Sequence, residues 1–410
     1  MRYLRLFLLW SCWLGVVNAA QAQGRLTGVV QDSASHEPLA FASVFLAGTT
    51  LGATTTEKGT FVFEKVPKGT YDIVGSYVGY RLSKQSITVT TGAQPPITLK
   101  LASSGPQLNE VVVQANPHQE DDYRKFAELF LGRTTFSKQC RITNPAEVDV
   151  AYNDTTKVLT AAADNFLQVE NQALGYRIKY FGLHFQYNTE DESVSYDGQP
   201  IFEELKPHDE KQQRQWEANR LAAYHGSLTH FLRSVYDDRV QEEGFLAQQV
   251  RIVENPRLVV AERIRQQKRR ATAAEQDSMR KWSALPDVVA RLFPKPRPID
   301  SLRRISANGE QFLRFKQELQ VCYFGEAPDP NYKAAMSSIG PTDAKTPIKR
   351  QVSRLTLLVP EVEISSNGSL TNPSDIVPGE YWGFESLGEF LPADYEPPVA
   401  ATPSPQAKLK

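Results

Sequence analysis

The chain has 410 residues, 46 of them Lys or Arg and 47 Asp or Glu, for a formal net charge of −1. That balance gives no ground for a polyanionic partner spread over the whole surface, and nucleic acid is not an expected partner. The length suits two or three domains with cores of their own.

Residues 1–22 read as a signal peptide. Arg2 and Arg5 precede an apolar run from Leu6 to Val17, and Ala20-Gln21-Ala22 offers a small-residue cleavage site. The run is about a dozen residues, against roughly 20 for a membrane-crossing helix, so removal near Gln23 is expected rather than anchoring. Cys12 follows Trp10 and Ser11, a poor setting for lipidation. No later stretch approaches spanning length, so the mature chain is expected to have no transmembrane span. Without Arg2 and Arg5 its formal charge becomes −3. Cys140 and Cys322 remain after export; an oxidising compartment allows one long-range disulfide, and two separately buried thiols are equally compatible.

Residues 24–102 alternate with period two. Phe61 and Phe63 share a face, as do Tyr71, Ile73, Gly75 and Tyr77, then Ile87 and Val89, then Ile97, Leu99 and Leu101. Turn pairs such as Asp32-Ser33, Gly48-Thr49, Lys58-Gly59 and Lys68-Gly69 punctuate them at the spacing of an all-β Greek-key sandwich with about seven strands. Gly59 and Gly69 are expected at positive φ. The stretch GVVQDSASHEPLAFASVFLAGTTLGATTTEKGTFVFEKVPKGTYDIVGSYVGY (28–80) resembles the carboxypeptidase regulatory-like, transthyretin-like domain. The resemblance implies an accessory module, found beside metallocarboxypeptidases or in front of TonB-dependent outer-membrane transporters. Over 103–116, LNEVVVQA (108–115) is similar to the segment that joins such an extension to its transporter. Too few residues follow for a barrel of some twenty strands, so a linker or extra strand is expected there.

Residues 117–397 read as an α+β domain. NPHQEDDYRKFAELFLG spaces Tyr123, Phe126, Leu129 and Phe130 as a helix. A hairpin is expected around Asn153-Asp154, then a strand with Leu174, Tyr176, Ile178 and Tyr180 on one face and Arg177 and Lys179 on the other. Residues 208–243 carry helical spacings through Trp216, Leu221, Tyr224, Leu228, Phe231, Leu232 and Val235, broken at Gly226-Ser227 by a C-cap and an N-cap. From Arg251 to Arg304 there are 14 basic and six acidic residues, centred on RIRQQKRR, expected as a solvated helix or long loop. Strands return over 312–324 and 353–364, GEYWGFESLGEFLPADYEPP closes the domain, and 398–410 is expected as a disordered tail. WEANRLAAYHGSLTHFLRS and GEYW…LPADYEP resemble regions that follow the same sandwich in bacterial envelope proteins without established activity.

Chemistry has little foothold. No His is followed by Glu three residues on, and His-Glu-x-x-His is absent. His36-Glu37, His118-Gln119-Glu120 and His208-Asp209-Glu210 have the wrong spacing for paired ligands. His225 and His230 lie five apart across the Gly226 break and read as capping or surface residues. Glu203-Glu204 is the acidic pair in an aromatic setting. No nucleophile elbow, phosphate loop or dinucleotide fingerprint is present. The sequence therefore assigns no catalytic, cofactor-binding or metal-ligating residue. It points to an exported, non-catalytic envelope protein used for binding or assembly at the periplasm or outer membrane, with an envelope protein or glycan as partner. The alternative is a glycan- or peptide-acting enzyme, or a substrate-capture protein, with its site in the C-terminal domain.

Overall fold

The structure, a computed structural model, describes residues 23–104, 119–163, 165–267, 271–283, 285–333 and 350–398. The leader, the LNEVVVQA segment and the tail from 399 onward lie outside the described residues.

The N-terminal region is a β-sandwich. Its strands are β1 (Gln23–Asp32), β2 (Ser43–Leu46), β3 (Gly52–Thr54), β4 (Thr60–Pro67), β5 (Gly69–Ser76), β6 (Ser83–Val89), β7 (Gly92–Ala93) and β8 (Ile97–Leu101). One sheet runs β4-β1-β7 with β8 parallel to β1; the other runs β3-β2-β5-β6. Alternation works as expected: Leu26, Val30, Phe61, Phe63 and Leu99 meet Val44, Leu46, Tyr71 and Ile73 in one buried cluster. The Phe61 and Phe63 rings stand edge to face with centroids 5.9 Å apart. Gly59 has φ +70°, and a Cβ there would fall 2.8 Å from the Val30 carbonyl oxygen. Gly69 does not have positive φ; it opens β5 beneath the Tyr71 ring, and what it supplies is room.

The second layer begins with α1 (Gln119–Leu131), followed by β9 (Cys140–Ile142), β10 (Val148–Asn153), β11 (Val158–Ala163), β12 (Phe166–Asn171), β13 (Tyr176–Asn188) and β14 (Val194–Glu204). β13 organises this sheet. One edge pairs with β12 and then β11, while β14 follows the other edge throughout. The register shifts between Phe181 and His184, around Gly182. That one-residue bulge keeps Tyr176, Ile178 and Tyr180, then Leu183, Phe185 and Tyr187, all buried. Phe126 and Phe130 of α1 cover them, with ring centroids 5.0 Å from Phe185 and 5.3 Å from Tyr180. Arg177 and Lys179 take the other face, as read from the sequence, and bridge to Glu170 and Glu203.

The third layer follows α2 (Glu210–Tyr224) and α3 (Leu228–Tyr236). Its strands are β15 (Phe245–Glu254), β16 (Val288–Pro296), β17 (Arg303–Ile305), β18 (Gln311–Leu313), β19 (Glu318–Tyr323), β20 (Gln351–Leu357), β21 (Val362–Ile364) and β22 (Ile376–Glu380). β16-β15-β19-β20-β22 form an antiparallel sheet and β17-β18-β21 a smaller one. Phe231, Leu232 and Val235 of α3 bury against Phe245, Val321, Leu355 and Trp382. α2 instead caps the second layer: the Trp216 Nε1–H donates to the Gln172 carbonyl at 2.8 Å, and Arg220 lies over the Tyr176 ring.

The basic stretch is helical in part, as expected, and departs from expectation at its strand. Between β15 and β16 stand two short helices, α4 (Pro256–Gln266) and α5 (Ala273–Trp282), and β16 itself is a strand where only helix or loop was expected. Its run VVARLFPKP has the β-branched start of a strand, masked by the charge around it.

Candidate functional site

Three groups of side chains, all at boundaries between layers, hold the unusual chemistry. The first is the seat of the sandwich on the rest of the chain. The turn between β2 and β3 reaches out to other elements: the Gly48 N–H donates to the Pro200 carbonyl at 2.6 Å, the Phe202 N–H to the Thr49 carbonyl at 2.9 Å, and the Ala393 N–H to the Gly48 carbonyl at 2.7 Å. The Thr50 N–H and hydroxyl both donate to the Asp394 carboxylate. Beside this turn, Phe45 and Val74 pack on Phe181 and Ile201, with the Phe45 and Phe181 rings 4.8 Å apart. Arg233, 8% exposed, holds the strap from behind by donating to the Ala393, Tyr395 and Asn367 carbonyls.

The second group sits at the break between α2 and α3. Gly226 at φ +80° folds the chain back, so His225 and His230 come together with ring centroids 5.8 Å apart. This corrects the sequence reading for His230, which is 3% exposed and packs on Tyr224, Phe245 and Tyr323. Its Nδ1 accepts from the Gly226 N–H at 3.1 Å, which leaves Nε2 as the protonated nitrogen facing Glu243 at 3.4 Å. Burial pushes its pKa below the usual value, more than Glu243 pulls it up. His225 is the C-cap of α2, as a capping residue should be, with Nδ1 3.0 Å from Glu326. The Tyr323 hydroxyl and Gln351 Oε1 are buried beside this group without hydrogen-bond partners. With its imidazole enclosed by aromatic rings, His230 can hold the helix break.

The third group lies where the closing segment meets the second layer. Glu385 and Glu389 sit four apart; burial raises Glu385 well above the carboxylate range and takes Glu389 to about 7, against a hydrogen bond from Thr134. Burial and Glu389 together push the Cys140 thiol up to about 12. Asp329 accepts from the Thr135 and Asn331 N–H groups at 2.8 and 2.7 Å. Tyr332, Tyr381 and Phe384 cluster alongside, Tyr332 edge-on to Tyr381, and Glu380 holds φ +59°, a conformation L residues rarely adopt. A carboxyl that titrates at about 7, as Glu389 does, can exchange a proton at physiological pH.

The other sequence candidates are accounted for singly. Glu203 pairs with Lys179 and Arg177, and Glu204 with Arg220, so each is a neutralised strand-end carboxylate. Cys140 and Cys322 are unpaired thiols in different sheets, which removes the disulfide alternative. His36 and His208 are exposed, and His118 lies outside the described residues. Among the described residues no group of three or more His, Cys, Asp or Glu has metal-holding geometry, and no helix is long and apolar enough to cross a membrane. The sequence reading missed Glu385, Glu389, Asp394 and Arg233. A signal existed only for the first pair, in the i, i+4 spacing of ESLGE.

Residues 26–113 match the family model of the CarboxypepD_reg-like domain. The match covers the sandwich and none of the α+β region. A search of curated proteins finds no match. Among solved structures, the chain is similar to the Bacillus anthracis TIE protein (16% identity, TM-score 0.18), over 46% of this chain and 32% of that one, about a third of its length. It is similar to a putative carbohydrate binding protein from Bacteroides uniformis ATCC 8492 (13% identity, TM-score 0.16; 43% and 78% covered). It is also similar to a putative membrane-associated protein of unknown function from Bacteroides fragilis NCTC 9343 (11% identity, TM-score 0.17; 88% and 96% covered).

Proposed function

We propose that this chain is an exported, non-catalytic envelope protein in which the CarboxypepD_reg-like sandwich is a fixed scaffold and the α+β region binds an envelope protein or glycan. The observation that carries this reading is the seat of the sandwich. Its Gly48–Thr50 turn is spent on Pro200, Phe202, Ala393 and Asp394, and its Phe45 on Phe181. A domain whose turn and outer aromatic are buried against its neighbour is suited to present that neighbour; its core positions are apolar and transfer no protons.

Cell fractionation with N-terminal sequencing tests export: the mature chain should sit in the envelope fraction and begin near Gln23. A cytosolic chain that keeps Met1 ends the export reading. Crosslinking in intact cells, followed by affinity recovery, should return one envelope component from the full chain and none from a chain with Arg233→Ala and Asp394→Ala.

A second reading, a glycan- or peptide-acting enzyme or substrate-capture protein, is favoured by the Glu385 and Glu389 pair. A carboxyl that titrates at about 7 beside Tyr381 is what a general acid requires. Turnover of an envelope glycan or peptide that is lost in Glu389→Gln, with thermal unfolding retained, would establish this reading and overturn the first.

A further inference from the structure

The arm from Arg251 to Pro298 is built differently from the rest of the chain. Among its described residues only Asn255 and Ala261 are buried. Ile252, Val259, Val260 and Val288 stand 38–51% exposed. Nine Arg and Lys face five Asp and Glu among those described residues, in a chain whose formal net charge is −1, so that the rest of the chain is net acidic. Such a hairpin with two short helices has almost no core of its own to hold it.

Three arginines meet at its base. Arg251 and Arg291 are direct cross-strand partners of β15 and β16, an arrangement in which like charges stand about 5 Å apart at their Cα atoms and destabilise the ladder. Both guanidinium groups lie against one ring, Phe293, at 4.7 and 5.6 Å from its centroid. Arg251 and Arg297 donate to the same Gln249 Oε1, at 3.3 and 3.4 Å. Among the described residues none of the three has a carboxylate partner; Glu318 of the same sheet is taken by Arg354. Arg251 thus shares the Phe293 ring with Arg291 and the Gln249 amide oxygen with Arg297, and the three guanidinium groups present far more donors than those acceptors can take.

We propose that Arg251, Arg291 and Arg297 form a phosphate-binding subsite that takes the headgroups of an anionic lipid surface, with the arm as the docking element. Guanidinium forks match the oxygens of a phosphate bidentately, and an anion between Arg251 and Arg291 turns their repulsion into attraction. The charge of the whole arm favours an anionic surface. Its exposed apolar side chains are aliphatic, which suits the boundary of a bilayer; of the two aromatics in the arm, Trp282 is half-buried and the Phe293 ring is taken by the two guanidinium groups, so a sugar or base finds little to stack on. This inference stands apart from the export reading, since anionic lipid faces are found on both sides of a cell membrane.

Flotation of the full chain with vesicles tests it, using phosphatidylcholine alone and phosphatidylcholine doped with phosphatidylglycerol. The expected result is binding to the doped vesicles only, weakened by salt and by inorganic phosphate. Each arginine near an anionic surface is worth about fivefold in partition, so Arg251→Gln with Arg291→Gln should weaken binding about 25-fold. The same pair removes a like-charge contact, so its melting temperature should hold or rise, which separates lost binding from lost folding. Val259→Ser with Val260→Ser should weaken vesicle binding and leave free phosphate binding untouched. Four results overturn the proposal: equal binding to both vesicle types, no binding to either, vesicle binding indifferent to the arginine pair, or binding of inorganic phosphate or a soluble polyanion without vesicle binding.

Discussion

His230, buried, and Glu389, half-buried, are titratable groups whose effects on stability run in opposite directions with pH. The His230 pKa lies below its ordinary value of 6.5, so the fold holds the neutral ring while the unfolded chain protonates first. Its contribution is fully present above about pH 6.5 and is lost as pH falls through the folded value. A protonated ring can no longer accept the Gly226 N–H. In His230→Leu the loss of stability between about pH 6.5 and 5 should flatten, as followed by urea unfolding; an unchanged slope would remove His230 as its source. Glu389 has a folded pKa of about 7 against an ordinary 4.5. Stability from this group is present below 4.5 and declines as pH rises through 7. Glu389→Gln should therefore stabilise the protein by roughly 1–3 kcal/mol at pH 8 and leave it unchanged at pH 4. No gain at pH 8 would mean that the carboxyl is solvated. Neither residue could be read from the sequence in this role. Five positions across a glycine break say nothing about direction until Gly226 adopts φ +80°, and ESLGE shows the spacing of two carboxyls without the burial that shifts them.

Elements were legible where one period ran unopposed. The sandwich strands, α1 with Phe126 and Phe130, the hairpin at Asn153 and the break between α2 and α3 all follow from apolar spacing and turn chemistry. Replacing Phe61, 2% exposed, with Ala should cost roughly 3–5 kcal/mol, read as the shift in urea midpoint at constant slope. A cost under about 1 kcal/mol would contradict its place in the core. Legibility failed where two signals competed. β13 reverses its buried parity at Gly182, so strict alternation beyond Tyr180 puts Leu183 and Phe185 on the wrong face. In the arm, the density of Arg and Lys argued for a solvated helix and outweighed the β-branched Val288-Val289 that starts β16.

At the scale of the molecule, the class of each half could be read, but how the halves meet could not. Gly48-Thr49 is a turn signal in any sandwich, and its partners lie far away in sequence; Thr50 and Asp394 are 344 residues apart. No local period encodes such a contact. Its consequence is cooperativity: with Phe45 against Phe181, Phe202 against Thr49 and the Ala393–Asp394 strap across the turn, the sandwich should unfold together with the second layer. Asp394→Ala removes both side-chain bonds to Thr50 and leaves the Ala393 to Gly48 backbone bond in place. It should cost about 1–3 kcal/mol, since the hydrogen bonds are to a charged group. Phe181→Ala should cost roughly 3–5 kcal/mol and speed amide exchange at Phe45 and Val74, which belong to the sandwich and not to its own sheet. A double-mutant cycle between Thr50→Val and Asp394→Ala should show a coupling of about 0.5–3 kcal/mol. The measurement that decides is calorimetry of the intact chain. One cooperative transition that splits in two when Phe181→Ala and Asp394→Ala are combined fits a docked scaffold, whereas two independent transitions in the unaltered protein would mean that the sandwich is a tethered module and that its seat does not couple the layers.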